Sequence, residues 1–223
     1  MHISFEQVRA DSAVQAYIRK ADESMSAIGF TEHSFAHVLK VAQTAQLILL
    51  TLGYDEHTAE LARIAGYLHD IGNMINRVDH AQSGALIAFR LLDKMGMDPE
   101  DIATVVTAIG NHDESTAFPV NAVAAALILA DKSDVRSSRV RAVARSEENL
   151  ASDIHDRVNY AVKHTTLSLD TPGLIDLEIT VDTNVCDLID YFQIFLERMN
   201  LCRQAADKLG QRFGLVINGQ RMM

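Results

Sequence analysis

Apolar residues at helical spacing are the feature of this 223-residue chain that most constrains its fold. They recur every three or four residues in successive segments up to about residue 162, a period that predicts amphipathic helices. Single polar residues of metal-binding type interrupt these stripes, at His37, His69, Asp70, His80, His112 and Asp131. Burying such a group costs free energy unless it is paired or binds a cation. The pattern predicts a mainly α-helical protein with buried polar groups.

Capping residues, prolines and glycines predict where the helices begin and end. Gly66 is expected to leave room beside Asp70, one turn later. The predicted helices run from Ser4 to about Gly29, from after Thr31 to Gly53, from Asp55 to His69-Asp70, from Asp79 to Gly96, from Asp98 to His112, and from after Pro119 to Asp131. A polar helix from Arg136 to Ser146 and another from about Ser152 to Val162 follow.

The pattern changes after His164. Residues 165–170 and 175–181 alternate with period two around a Thr-Pro-Gly turn, which predicts a β-hairpin. A long helix over about 184–209 and a third strand over 213–217 are expected next. The predicted fold is therefore a helical bundle over 1–164 with a small C-terminal β-hairpin/α extension over 165–223 packed on it.

The charge and composition of the chain argue against some classes of binding partner. A formal net charge of −10 disfavours the broad phosphate contacts of a protein that binds DNA or RNA polymers. The longest apolar run, Ala122 to Ala130, is too short to cross a membrane, and the first ten residues do not resemble a secretion signal. The two cysteines, Cys186 and Cys202, have no metal-ligand spacing. We expect a cytoplasmic protein without a membrane or nucleic acid partner.

The interrupting residues have two interpretations. Taken singly, each histidine is most simply a hydrogen-bonded core residue, and Asp131 could cap a helix or pair with an arginine. Taken jointly, residues from five successive helices, most of them at helix ends, favour one metal site. Imidazole and carboxylate ligands suit iron, manganese, zinc, nickel or cobalt. Because none of these residues is a cysteine, an open catalytic site is favoured over a closed structural zinc site.

The order and context of these residues resemble the HD-domain superfamily of metal-dependent phosphohydrolases. The resemblance covers roughly residues 31–134 and rests on 37–42 (HVLKVA), 68–72 (LHDIG) and 130–132 (ADK). Two further segments, 80–85 (HAQSGA) and 111–114 (NHDE), look like the extra histidine motifs of the two-metal members. Those members include HD-GYP phosphodiesterases and symmetric dinucleoside-tetraphosphate hydrolases.

The resemblance implies a metal centre and a reaction. One ion would be held by His37, His69, Asp70 and Asp131, and a second by His80 and His112, with Asp70 bridging the two. Two ions roughly 3.5–4 Å apart can share a hydroxide and neutralise a phosphoryl group during in-line attack. The implied function is hydrolysis of a small phosphate ester or nucleotide through a metal-bound hydroxide, with His69 and Asp70 as the catalytic pair.

The chain departs from the family pattern at two places. Asn73 stands where many members have lysine, and Asp113 stands where HD-GYP members have a second histidine. The Gly-Tyr-Pro signature is absent from residues 114–119, so cyclic di-GMP hydrolysis is not expected. Two interpretations of Asp113 stay open. It is either part of the centre, as an oxygen ligand or a proton shuttle, or a solvated acidic residue at a helix end. His33 lies one turn before His37 on the same predicted face and could reach the site, but a helix-start histidine is favoured.

Several hypotheses stay open at this stage. Lys132, Arg136 and Arg139 share a predicted helical face, which either receives substrate phosphates or is simply solvated. A diiron oxygenase and a non-catalytic metal and nucleotide sensor are alternatives to the hydrolase. A homodimer through the hairpin or the long helix is a further hypothesis, which light scattering would test.

Overall fold

The protein is mainly helical, with a small four-stranded sheet towards its C-terminal end, as predicted. The architecture comes from a computed structural model, which describes residues 3–114, 116–146, 148, 150 and 153–223. By their internal contacts the residues form two compact units, Met1–Asp131 and Lys132–Met223. The domain division after His164 and the packing of the extension on the helical domain stay predictions.

The first unit consists of helices joined by short loops. They are α1 (Phe5–Ala10), α2 (Ser12–Ala27), α3 (Phe35–Thr51), α4 (Glu56–Leu68), α5 (His80–Met95), α6 (Pro99–Gly110) and α7 (Ala122–Ser133), of which α7 ends in the second unit. A 3₁₀ turn at Ile71–Met74 follows α4. Helix α4 packs against α3 and α6, and α5 packs against α6 and the 3₁₀ turn. The ends of these helices carry the polar residues that interrupt the apolar stripes.

Side-chain caps explain most helix boundaries. Ser4 and Gln7 form the predicted capping box, and Asp55 and Asp98 accept hydrogen bonds from the first backbone N–H groups of α4 and α6. The single helix predicted from Ser4 to Gly29 is instead two. Asp11 adopts an extended backbone between them, and its carboxylate accepts from the first turn of α2. Asp79 precedes α5 but makes no capping hydrogen bond from its side chain.

Two glycines allow close packing around the centre of the first unit. A Cβ at Gly66 would lie 2.8 Å from the Ala42 Cα, so the space at Gly66 is filled by α3. The prediction that Gly66 leaves room beside Asp70 stays a prediction. A Cβ at Gly72 would lie 2.0 Å from the His80 carbonyl oxygen. Gly72 thus lets the 3₁₀ turn that follows Asp70 lie directly on the start of α5.

The second unit carries the sheet. After α7 the chain forms 3₁₀ turns at Ser137–Arg139 and Ala142–Ala144 where a polar helix from Arg136 to Ser146 was predicted. This prediction was wrong, because the segment has little apolar surface to bury. The remaining elements are α8 (Ile154–Ala161), β1 (Val162–Ser168), β2 (Leu174–Val181), α9 (Leu188–Lys208), β3 (Arg212–Ile217) and β4 (Gln220–Arg221).

The sheet has the order β1-β2-β3-β4. Strands β1 and β2 form the predicted antiparallel hairpin, and β2 and β3 run parallel because α9 connects them. Alternate residues of β2 are buried, namely Ile175, Leu177, Ile179 and Val181. Among the residues that the structure describes, no helix is long and apolar enough to span a membrane.

Candidate metal centre

The six predicted ligand residues come together in the first unit. They form three overlapping groups of three residues, and within each group the ligand atoms all lie within 4.8 Å of one another. His37 lies in the first turn of α3, His69 and Asp70 follow α4, His80 begins α5, His112 follows α6, and Asp131 lies in the last turn of α7. Asp131 is partly buried, and the other five are buried. The helix ends thus assemble one polar centre.

The Asp70 carboxylate lies between two sets of histidines. Its Oδ2 atom is 3.5 Å from His37 Nε2 and 3.2 Å from His69 Nε2. Its Oδ1 atom is instead 3.5 Å from His80 Nε2. The two oxygens of one carboxylate therefore face different histidines, as a bridging ligand requires.

Asp131 completes the first set. Its Oδ1 atom lies 3.4 Å from His37 Nε2 and 3.6 Å from His69 Nε2. The ring of His69 is oriented by its Nδ1, which donates to the Gly66 carbonyl at 2.8 Å. Since Nδ1 carries the donated hydrogen, Nε2 is the atom presented to both carboxylates.

His80 and His112 form the second set. Their Nε2 atoms are 3.2 Å apart. The Nδ1 of His112 donates to the Ile109 carbonyl at 2.6 Å, and that of His80 donates to the Arg77 carbonyl at 3.1 Å. Two neutral rings with this tautomer point lone pairs at each other, so the arrangement needs a cation or a shared proton between them.

The residues therefore fit a divalent transition metal. The Nε2 atom of His69 is fully buried and faces two carboxylates, 3.2 Å from Asp70 Oδ2 and 3.6 Å from Asp131 Oδ1. Imidazole nitrogens and carboxylate oxygens are a usual ligand set for such ions. The second nitrogen of a ligating imidazole usually donates to a carbonyl or carboxylate, as the Nδ1 atoms do here. The donor set leaves the identity and number of the ions open.

A comparison of the sequence with known protein families also bears on this centre. The sequence model of the HD domain family matches residues 34–194, more than half of the chain. The chain belongs to the HD domain family. HD domains are mostly metal-dependent phosphohydrolases, which places the chain in a superfamily of metal-dependent hydrolases. No curated protein and no solved structure matched significantly.

The family match is longer than the resemblance in the sequence. That resemblance covered roughly residues 31–134, whereas the HD match continues through the hairpin into α9. The hairpin of β1 and β2 therefore lies inside the matched region, while β3 and β4 lie outside it.

The charged groups of the candidate metal centre shift one another's pKa values. Burial by itself lowers the pKa of His69, but the negative charges of Asp70 and Asp131 outweigh it and raise this pKa to about 10. Burial raises the pKa of Asp70, yet the charges of His69 and His33 and hydrogen bonds from His37 and His69 hold it well below its usual value. The two carboxylates thus stabilise positive charge at this position.

Asn73 and Asp113, the two departures from the family pattern, both lie beside the centre. Asn73 is buried, and its Nδ2 donates to the backbone oxygen of Asp70 at 3.0 Å and to Oδ1 at 2.9 Å. It thereby orients the carboxylate that faces both histidine sets. Asp113 Oδ1 lies 3.9 Å from His80 Nε2, and its side chain is 20% exposed. Asp113 is near enough to exchange a proton between the centre and solvent.

Two further residues lie near the centre. His33, for which a helix-start role was favoured over a place at the site, is buried, and its Nε2 lies 3.9 Å from Asp70 Oδ2. The signal in the sequence is its spacing of four from His37, which places both histidines on the same face of a predicted helix. Arg77 was not considered, although it is a single basic residue between Asn73 and His80. Its guanidinium Nη1 lies 3.1 Å from His80 Nε2.

The predicted basic face after Asp131 does not form as one helical face. Helix α7 ends at Ser133, so Arg136 and Arg139 lie beyond it. Arg136 donates to the Asp134 carboxylate and Arg139 to the Asp134 carbonyl, each at 3.0 Å. Lys132 is buried at the end of the helix. Binding of substrate phosphates by these three residues stays a prediction.

Proposed function

We propose that this protein is a metal-dependent phosphohydrolase that acts on a small phosphate ester or nucleotide. One observation carries the proposal: the two oxygens of Asp70 face two different sets of histidines. His37, His69 and Asp131 with Oδ2 would hold one ion, and His80 and His112 with Oδ1 would hold a second. Bound divalent ions stabilise negative charge on a phosphoryl group and lower the pKa of water.

The protein's own residues supply orientation and proton transfer. Backbone carbonyls hold the rings of His69, His80 and His112 with Nε2 towards the centre. Asn73 fixes Asp70, so that little reorganisation is needed when substrate binds. Asp113, at the exposed edge, is the proposed proton acceptor that returns protons to solvent. Because the chain carries a net charge of −10, bound cations would help the centre to attract an anionic substrate.

The proposed setting is the cytoplasm, with a small phosphorylated substrate as partner. Cys186 and Cys202 are both buried as thiols rather than joined in a disulfide, which supports a reducing compartment. A homodimer remains a proposal that light scattering can test.

The test is a phosphate-ester screen of protein purified without chelator, with metals counted per chain. We expect phosphate release that requires iron, manganese, nickel, cobalt or zinc. The double variant His69→Ala and Asp70→Ala should lose both metal and turnover. His155→Ala, which removes an exposed histidine of α8, is the matched control and should keep both.

Three outcomes would contradict the proposal in different ways. Phosphate release by the metal-free double variant would place the reaction elsewhere. Iron-dependent oxygen uptake without phosphate release would favour the oxygenase. Tight nucleotide binding without turnover under every metal would favour the sensor.

A further inference from the structure

The guanidinium of Arg77 lies at the His80 side of the centre. Arg77 belongs to the loop between the 3₁₀ turn and α5, three residues before His80. Its Nη1 atom is 3.1 Å from His80 Nε2 and 3.4 Å from His80 Nδ1. A single atom this close to both ring nitrogens must lie over the face of the imidazole, because in the plane it would collide with Cε1. Arg77 is therefore stacked on the ring.

This stacking leaves the ligand direction of His80 unchanged. The lone pair of Nε2 lies in the ring plane, and this atom is 3.5 Å from Asp70 Oδ1 and 3.2 Å from His112 Nε2. Arg77 thus adds a positive charge beside the centre without taking the in-plane position of a ligand. Planar stacking of this kind suits a guanidinium better than an ammonium group.

The polar contacts of Arg77 are long. Nη1 donates to Asn73 Oδ1 at 3.5 Å, and Nη2 lies 3.8 Å from Asp113 Oδ1. A charge-assisted hydrogen bond to a carboxylate is usually about 2.7–2.9 Å long. These contacts orient the guanidinium, but they are weaker than those a closely bound anion would make.

Phe30 and solvent border the other side of Arg77. The guanidinium carbon lies 5.8 Å from the centre of the Phe30 ring, within the range of a cation–π contact. The Arg77 side chain is 26% exposed, and Phe30 is 42% exposed. Arg77 can therefore be reached from solvent while it touches the centre.

We propose that Arg77 binds the non-bridging oxygens of the substrate's phosphoryl group and selects phosphate monoesters over diesters; this rests on the proposed phosphohydrolase function. A guanidinium offers parallel N–H donors that match two phosphate oxygens. A monoester has three non-bridging oxygens and a double negative charge, whereas a diester has two such oxygens and one charge. An additional cation beside the centre therefore favours the monoester. Phe30 borders the same position and can contact an apolar or planar leaving group.

The test compares variants of the metal-loaded, full-length protein. Arg77→Met keeps length and removes charge, Arg77→Lys keeps charge and removes the fork, and Arg90→Met is the matched control. Arg90 is exposed on α5, ten residues and so about 15 Å along the helix axis from His80. The probe is inorganic phosphate, measured by calorimetry, with metal content determined for each sample. Kinetics use p-nitrophenyl phosphate and its diester, bis(p-nitrophenyl) phosphate.

We expect Arg77→Met to bind phosphate at least about tenfold more weakly with unchanged metal content. Arg77→Lys should fall between it and the wild type, and Arg90→Met should match the wild type. For the monoester, the variant's KM should rise more than its kcat falls. The low kcat/KM for the diester should change little.

The failures of the two proposals are distinguishable. Unchanged phosphate affinity in Arg77→Met would overturn the role of Arg77, while hydrolysis by the wild type would still support the hydrolase. Loss of metal together with loss of phosphate binding would also overturn it, because Arg77 would then only position His80. Phosphate binding that depends on Arg77, without ester hydrolysis by the wild type, would overturn the hydrolase and support the anion site.

Discussion

The Nε2 atoms of His80 and His112 lie 3.2 Å apart, while each ring donates its Nδ1 hydrogen to a backbone carbonyl. This arrangement stabilises a cation between the rings and offers little to an uncharged core, because two lone pairs would repel each other. It is the strongest geometric sign that the centre extends beyond His37, His69, Asp70 and Asp131.

Replacing His112 by Gln should therefore remove one part of the centre. We expect metal content to fall from about two ions per chain to about one, since His80 alone with Asp70 Oδ1 is a poor site. Elemental analysis of samples purified in parallel measures this. His155→Gln on α8 serves as the control. Equal metal content in the His112 variant and the wild type would show that His112 is a core residue.

Asn73→Ala tests the orientation of Asp70. Both hydrogen bonds from the amide would be lost, and the carboxylate would be free to rotate. Loss of such an outer contact typically weakens metal binding by about 10–100-fold. Competition with a chromogenic chelator gives the affinity. An affinity within twofold of the wild type would show that Asp70 is held by the histidines alone.

The clustering of the six predicted ligand residues could be foreseen because they interrupt apolar stripes, most of them at or near the end of a helix. Inward direction follows from the 3.6-residue period, and the helix ends follow from caps such as Asp55 and Asp98. The hairpin was predictable for the same kind of reason, since the side chains of β2 alternate in burial.

Other features depend on side-chain hydrogen bonds and backbone turns that the spacing of apolar residues does not show. Asp11 divides the first predicted helix because its side chain competes with helical continuation. Arg77 reaches His80 only because a 3₁₀ turn and the left-handed backbone of Asp79 bring the loop back over the ring. The segment after Asp134 has a helix-like polar pattern, yet Asp134 instead binds the arginines that follow it.

Protein freed of metal by chelation should lose stability as the pH rises. The pKa of His69 is about 10 in the folded chain and 6.5 at its ordinary value, so the folded state binds this proton more tightly. Its contribution is fully present below pH 6.5 and is lost as the pH rises through about 10. Urea unfolding in chelator from pH 6 to 10 measures the change. His69→Gln should show a smaller fall over this range, and an equal fall would assign it to other groups.

Gly72→Ala tests how the centre is assembled. The added Cβ would lie 2.0 Å from the His80 carbonyl oxygen and 2.5 Å from the Gly84 nitrogen, both of them backbone atoms. Because neither atom can move without its chain, the turn that follows Asp70 must shift away from α5. We expect a loss of about 1–3 kcal/mol in the free energy of unfolding. Metal affinity should fall as well, since Asp70 and His80 would separate.

Gly110→Ala is the matched control for Gly72→Ala. A Cβ there would meet the Ala85 Cβ at 3.7 Å, an ordinary van der Waals contact, and Gly110 is the last residue of α6. This variant should keep its metal and its stability, or gain slightly from reduced freedom of the unfolded chain. Urea unfolding and metal content, measured on both variants, separate the two cases. Equal stability and equal metal content in the two variants would contradict the prediction. Asp70 would then be held beside His80 by something other than the close approach of the turn to α5.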